Sequence, residues 1–253
     1  ASGSSAARNV AHMVSLDNDF GKLPDVVSEG RRVINNLQRT ASLFLSKTIF
    51  AVLLTFAFLI ISWCTEYHYP FTTKNLIVWE MVTIGAGGLL LSLQPSKERL
   101  QGSFMANVLS RSIPAGIIEV LSVAILFVIS AIWPDFLSPE AAKCLAVILF
   151  TALSYLVLFR ICLPFDNYRA IVFIFCLLAG VAFFFLDLYF TDLSFSLRMN
   201  HFFGIEYKSL SPGALALGGG LCVFLNGLYF LFDWASRRFV KRGLTKVREG
   251  KKT

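Results

Sequence analysis

The sequence is poor in charge. Asp, Glu, Lys and Arg make up 15% of its 253 residues, against roughly 25% in a soluble domain. That scarcity excludes a disordered tail and an ordinary cytosolic enzyme. No CxxC pair joins the five cysteines, and Cys64, Cys144, Cys162, Cys176 and Cys222 all fall in or beside apolar runs. A disulfide scaffold is therefore excluded, and the thiols read as small packing residues rather than zinc or redox groups. There is no internal repeat and no low-complexity tract. No signal peptide is legible, because the first apolar run follows a largely polar opening stretch. What abounds is apolar surface: 56% of the residues are hydrophobic and 25 are Phe. This is the composition of a polytopic membrane protein. A net charge of +7 would suggest nucleic acid if the basic residues formed one soluble patch. They sit instead at the ends of apolar runs, so the expected partner is a lipid bilayer and not nucleic acid.

A helix crossing ~30 Å of hydrocarbon needs about 20 apolar residues. Six stretches qualify, near 41–63, 74–94, 113–133, 142–163, 169–190 and 213–234. The expected fold is all-α, with six transmembrane helices behind a partial α/β cytosolic segment. Orientation follows from Lys and Arg. With a cytosolic N-terminus, 18 of the 23 basic residues face inside, and only Lys74, Lys143, Arg198 and Lys208 face outside. Lys47 lies within a span. Both termini are thus expected in the cytosol, with the protein in the plasma membrane. The longest outer loop, 191–212, carries Asp192, Arg198, His201 and Glu206. The basic tail, 237–253, suits anionic lipid.

The opening residues differ from the rest. MVSL reads as a short buried strand and DNDF as its turn. From Lys22, KLPDVVSEGRRVINNLQRTASLFL reads as one helix, with Leu23, Val26, Val27, Val33, Ile34 and Leu37 recurring at spacings near 3 and 4. It enters the first span without a Gly or Pro break after Gly30, so it can transmit force. Residue 1 is Ala, as in a piece of a longer chain.

Ionisable groups in hydrocarbon cost ~2.5–3.5 kcal/mol on insertion scales and usually line a pathway or find a partner. Three stand out: Lys47, Glu80 and Glu119. Glu80 and Thr83 lie three apart on one helix face, followed by Gly85, Gly87 and Gly88. Local unwinding at these glycines would free carbonyls beside a carboxylate, as in membrane cation sites. The alternative is helix packing through small residues. Lys47, beside Thr48, either snorkels to the interface or pairs with Glu80 across antiparallel helices. From the span boundaries the two lie at depths ~12 Å apart, more than the lysine's reach alone covers. Glu119, about two turns into the third span, is either a structural hydrogen-bonding group or a proton-handling one. Asp187 and Asp233 lie near span ends, within reach of water.

The run EGRRVINNLQRTASLFLSKT resembles the stalk and fifth membrane helix of P-type cation-transporting ATPases. KNLIVWEMVTIGAGGLLLSLQP resembles their sixth, and ASGSSAARNVAHMVSLDNDF the end of their phosphorylation domain. The closest pattern is a bacterial branch described as calcium or cation transporting. The resemblance implies four domains of organisation: residues 1–30 ending a HAD-like phosphorylation domain, 31–95 a stalk and cation-site helix pair, 96–236 a four-helix support domain, and 237–253 a tail. It implies Glu80, Thr83 and Thr48 at cation-ligand positions, although only Thr83 keeps the residue type of calcium pumps. Lys47 falls where proton/potassium-transporting members carry a lysine, whose ammonium could fill a second cation position.

The resemblance also implies partners: upstream ATPase domains and transmembrane helices one to four, with magnesium and ATP held by the full-length enzyme. DKTGT, TGES and GDGxND motifs are absent from this sequence, so it holds no catalytic residue and binds neither cofactor itself. The expected function is the membrane half of an ATP-driven pump, with calcium as transported cation. The competing reading is a six-helix secondary carrier or channel without ATPase activity, which leaves the soluble-domain edge at 1–30 unexplained.

Overall fold

The computed structural model describes residues 4–14, 19–64, 68–95, 102–192 and 209–249. Among these residues every regular element is helical. A short helix α1 (Ser5–Val10) precedes a 42-residue helix α2 (Leu23–Cys64). After it come α3 (Thr73–Val78), a π-helical segment (Trp79–Ala86) and α4 (Gly87–Ser92), stacked end to end. Four long helices complete the chain: α5 (Phe104–Ile132), α6 (Pro139–Cys162), α7 (Asn167–Asp192) and α8 (Pro212–Glu249). Six helical stretches are long and apolar enough to cross a membrane.

The local chemistry explains the helix starts. Oxygens of Ser103, Ser138 and Ser211 accept backbone N–H groups of Ala106, Ala141 and Ala214 at 3.3, 3.2 and 3.1 Å, satisfying donors that a helix start leaves open. Pro139 and Pro212 stand in the first helical positions, where a missing N–H is harmless. Inside α2 the hydroxyls of Ser42, Ser46, Thr48 and Thr55 donate to carbonyls one turn back. No hydroxyl is thereby presented bare to hydrocarbon. At 1.5 Å per residue, α2 is a rod about 63 Å long.

Packing centres on α5 and α6, which are the most enclosed spans, with α2 laid against α5. Large side chains of α7 and α8, among them Ile171, Leu178, Phe185, Val223, Phe224 and Leu231, face outward, as lipid-facing helices require. The α2–α5 approach is tightest at Gly116. A Cβ there would stand 2.5 Å from Ile49 Cγ2 and 3.1 Å from the Phe50 nitrogen. An aromatic column ties the same helices together: Phe50 touches Trp79 and Phe150 at centroid distances of 5.2 and 5.5 Å, and Phe58 touches Phe127 at 5.3 Å.

Several expectations change here. No strand occurs among the described residues, so the α/β segment is not seen. Met13 and Val14 are exposed, and the rest of MVSL and the first half of DNDF lie outside the described residues. The apolar stripe Leu23–Leu37 does not face this chain. All six of its members are exposed, whereas Asn35, Asn36 and Arg39 are buried. The polar side of α2 is the packed one, because it meets the exposed carbonyl end of α4. Asp187 and Asp233 are buried rather than wet. Asp233 of α8 accepts Arg160 Nε of α6 at 2.8 Å, and that guanidinium lies over Phe230. The outer loop lies mostly outside the described residues, including Arg198, His201 and Glu206. The tail begins as a continuation of α8, with Arg238 over the Trp234 ring.

Where α2 meets the far end of α4 and the start of α7, Gln94 forms a hub and is fully buried. Its Oε1 accepts Arg39 Nη1 at 2.9 Å and Arg169 Nε at 3.1 Å, and its Nε2 donates to Asp166 at 2.8 Å. The Gln94 backbone carbonyl accepts Asn36 Nδ2 at 2.7 Å. Replacing one amide with an apolar residue leaves two buried guanidinium groups short of an acceptor. Gln94→Leu is expected to cost about 3 kcal/mol, read as a fall in melting temperature of the purified protein in detergent. An unchanged melting temperature would show that the hub contributes nothing.

Candidate cation site

The segment between α2 and α3 decides the site. After Cys64 the chain does not go straight into the next span. Tyr69 packs on Phe58 and Phe71 on Phe150, with ring centroids 6.1 and 5.5 Å apart. Phe58 lies six residues before the end of α2, so the connection folds back about 9 Å along the rod before α3 starts. The turn is fixed by Asn75, whose Oδ1 accepts both the backbone N–H and the hydroxyl of Thr72 at 2.8 and 2.9 Å. This descent brings Trp79 level with Phe50, and Glu80 level with Lys47.

Lys47 Nζ and Glu80 Oε1 stand 2.7 Å apart. The depth mismatch inferred from span boundaries is removed by the fold-back. Both side chains are about one-third exposed, at 33 and 35%, so the pair lies at the edge of the helix packing, with the aromatic column on its inner side. Tyr69 lies in the connection above it. Partial burial, and then the Glu80 charge, hold its phenol above the usual range near 10. The sequence offered no signal for Tyr69, a single aromatic in a short connection.

The other candidates are placed less favourably. Thr83 is buried, and its hydroxyl donates to the Trp79 carbonyl at 2.6 Å. In the wider π turn, positions three apart diverge more than in an α-helix, so Thr83 turns inward while Glu80 stays at the edge. Thr48 lies on the exposed side of α2, with its hydroxyl on the Phe44 carbonyl at 3.0 Å.

The glycines do not unwind the helix. Gly85 lies within the π segment, where a Cβ would stand 3.1 Å from the Glu80 carbonyl. Gly87 and Gly88 are buried at the start of α4, against Leu158 and against Phe44 and Thr40 respectively. Close packing of neighbouring helices explains those two. What the backbone has at Glu80 is a change of pitch, a feature common at functional sites. Glu119 is far from the edge. It lies 15 residues into α5, about 22 Å from its start, and is fully buried beside Ser154.

Among the described residues no group of three or more His, Cys, Asp or Glu is placed to hold a metal ion. The pair is therefore one acidic oxygen source held by a tethered ammonium, beside a π turn.

Relatives of this chain are named as calcium- or cation-transporting ATPases. The calcium-transporting ATPase CtpE of Mycolicibacterium smegmatis is 41% identical over 123 residues, 46% of this chain and 16% of its own length. A protein named as a probable cation-transporting ATPase, exp7, of Streptococcus pneumoniae is 26% identical over 178 residues, 68% of this chain and 22% of its own. The plasma membrane-type calcium-transporting ATPase 10 of Oryza sativa subsp. japonica is 28% identical over 119 residues, 44% of this chain and 11% of its own. This chain is a homologue of the P-type cation-transporting ATPases. No protein-family model matches it. The chain spans about one-sixth of CtpE, so it compares with a minor part of such an ATPase.

Proposed function

We propose that this chain is the membrane transport half of an ATP-driven cation pump, with calcium as the transported ion. The observation that carries the reading is the 2.7 Å contact of Lys47 with Glu80, an intramembrane carboxylate at a π turn in a homologue of calcium-transporting ATPases. Calcium takes six to eight oxygen ligands. Glu80 supplies the charged one, and Thr83 adds a hydroxyl when it releases the Trp79 carbonyl. Thr48, about 100° round α2 from Lys47, adds another on rotation of the rod. The remaining oxygens come from upstream helices one to four.

Lys47 acts as a built-in counter-ion. It neutralises Glu80 when no cation is bound, and an arriving ion must displace it. Phosphorylation of an upstream domain, with magnesium and ATP, moves residues 1–30. The α2 rod carries that motion to Glu80, and the site changes the side to which it opens. Both termini face the cytosol, and the membrane is the plasma membrane. The basic-residue asymmetry supports that orientation.

The test is ATP hydrolysis by the full-length protein in liposomes against a panel of cations. Calcium is expected to stimulate turnover and to accumulate across the membrane. Stimulation by another ion alone would overturn calcium. Ion flux without ATP would overturn the pump in favour of a carrier or channel.

A further inference from the structure

The two oxygens of Glu80 are not used equally. Lys47 Nζ holds Oε1 at 2.7 Å, while among the described residues no hydrogen bond falls on Oε2. An ionised carboxylate accepts at both oxygens, so one side of this acid is open. The group that the fold-back sets outward of it is Tyr69.

Tyr69 is held in place by rings. It meets Phe58 and Phe71 edge-on, each at a centroid distance of 6.1 Å. Phe71 rests on Phe150, and Phe150 on Trp79, the chain neighbour of Glu80, at 5.5 and 5.4 Å. Tyr69 is thus the outermost ring of the column that backs the ion pair. Phe71, Phe150, Trp79 and Phe50 are buried, whereas Tyr69 is 42% exposed. Its hydroxyl makes no hydrogen bond among the described residues. A tyrosine that serves only as an interfacial anchor turns to the lipid headgroups. Trp63, exposed at the end of α2, fits that role; Tyr69, packed on two rings, does not.

The heights leave a gap that side chains narrow. Phe58 lies eleven residues beyond Lys47, about 16 Å along α2. Helical side chains lean towards the N-terminus of their own helix. Phe58 therefore leans inward along α2, and Glu80, on the antiparallel span, leans outward. Tyr69 rests on the first and faces the second. The Glu80 charge reaches the phenol and, after partial burial, helps to keep it protonated. The hydroxyl retains the proton it would donate.

We propose that Tyr69 is the outer gate of the Lys47–Glu80 site, its hydroxyl closing on the free Oε2 of Glu80 when no cation is bound. Lys47 and Tyr69 then clamp the two oxygens of one acid from two sides. A cation approaching Glu80 from the outside has to displace the phenol, so the gate resists return of an exported ion. This deepens the pump reading and rests on it; the contact of Tyr69 with Glu80 does not.

Two measurements on the full-length protein keep the two apart. In liposomes, ATP added to the bath drives only pumps whose cytosolic side faces outward, so the lumen meets their outer face. Lumenal calcium should inhibit their turnover. Tyr69→Phe keeps the ring on Phe58 and Phe71 and removes only the competing donor. It should lower the half-inhibiting lumenal calcium at least fivefold, with the half-activating bath calcium changed less than twofold. No change on the lumenal side would overturn the gate. An equal shift on both sides would also overturn it, since that is what a general loosening produces. The second measurement needs no ATP. Infrared difference spectra of calcium binding should contain a tyrosine C–O band that Tyr69→Phe removes and Glu80→Gln abolishes. A Tyr69 band that Glu80→Gln leaves unaltered, or no Tyr69 band at all, would overturn the contact. A parent that calcium does not stimulate would fell the pump reading, and the gate with it. The same spectra, taken on adding calcium, would still decide whether Tyr69 answers to Glu80.

Discussion

Glu80→Gln in the full-length protein is expected to weaken cation stimulation of ATP hydrolysis by roughly two orders of magnitude. A hard cation loses its charged ligand, and each tenfold in affinity is ~1.4 kcal/mol. Lys47 makes the result more specific than a simple loss. With glutamine at position 80 the ammonium has no anion to hold, so Lys47 should become free to snorkel. Lys47→Met leaves Glu80 with no built-in competitor. Its expected effect has the opposite sign: tighter apparent cation binding, with an altered ion count per ATP. Both variants are measured as cation concentration for half-maximal ATPase activity and as transported ions per ATP. Glu80→Gln with normal cation affinity would sink the site assignment. Lys47→Met with unchanged ion count and pH dependence would remove the counter-ion role.

The second large effect is structural. Gly116→Ala places a methyl group 2.5 Å from Ile49 Cγ2 and 3.1 Å from the Phe50 nitrogen, where backbone cannot yield. Overpacking of this kind costs about 1–3 kcal/mol, and Gly116→Leu should prevent the two helices from docking at all. The displaced stretch of α2 includes Lys47, two residues from Ile49, so the ion pair should loosen with it. Gly219→Ala is the control, since nothing lies within 4 Å of its Cβ position. Melting temperatures in detergent should fall for Gly116→Ala, by ~2–4 °C per kcal/mol in a chain of this size, and stay level for Gly219→Ala. Equal melting temperatures would show that the α2–α5 approach is looser than the geometry requires.

Some features were legible because they depend on one dimension. Span number follows from the length of apolar runs, and all six stretches form helices. The continuity of α2 follows from the lack of a breaker after Gly30. Lys47 and Glu80 were visible as charges with no business in hydrocarbon, and their pairing was one of two readings left open.

Other features depended on packing that a pattern does not encode. The glycine run signals weakness in a helix, but its outcome was a π turn at Gly85 and tight contacts at Gly87 and Gly88. The stripe from Leu23 to Leu37 signals an apolar face, yet its orientation is set by Gln94, whose arginine and asparagine partners draw the polar face inward. Asp233 looked like a wet span end until Arg160 closed on it from another helix.

The sequence by itself determined that this chain lives in a bilayer as six helices, which polar groups enter it and which rod reaches out of it. Those properties follow from transfer of single segments from water to lipid. Only the tertiary structure decided which of the polar groups meet. The fold-back at Tyr69 and Phe71 sets the height of Glu80 against Lys47, and the α5–α6 contact gives Glu119 its single serine. Such meetings depend on how separate helices slide and rotate against one another, which the composition of each helix leaves free.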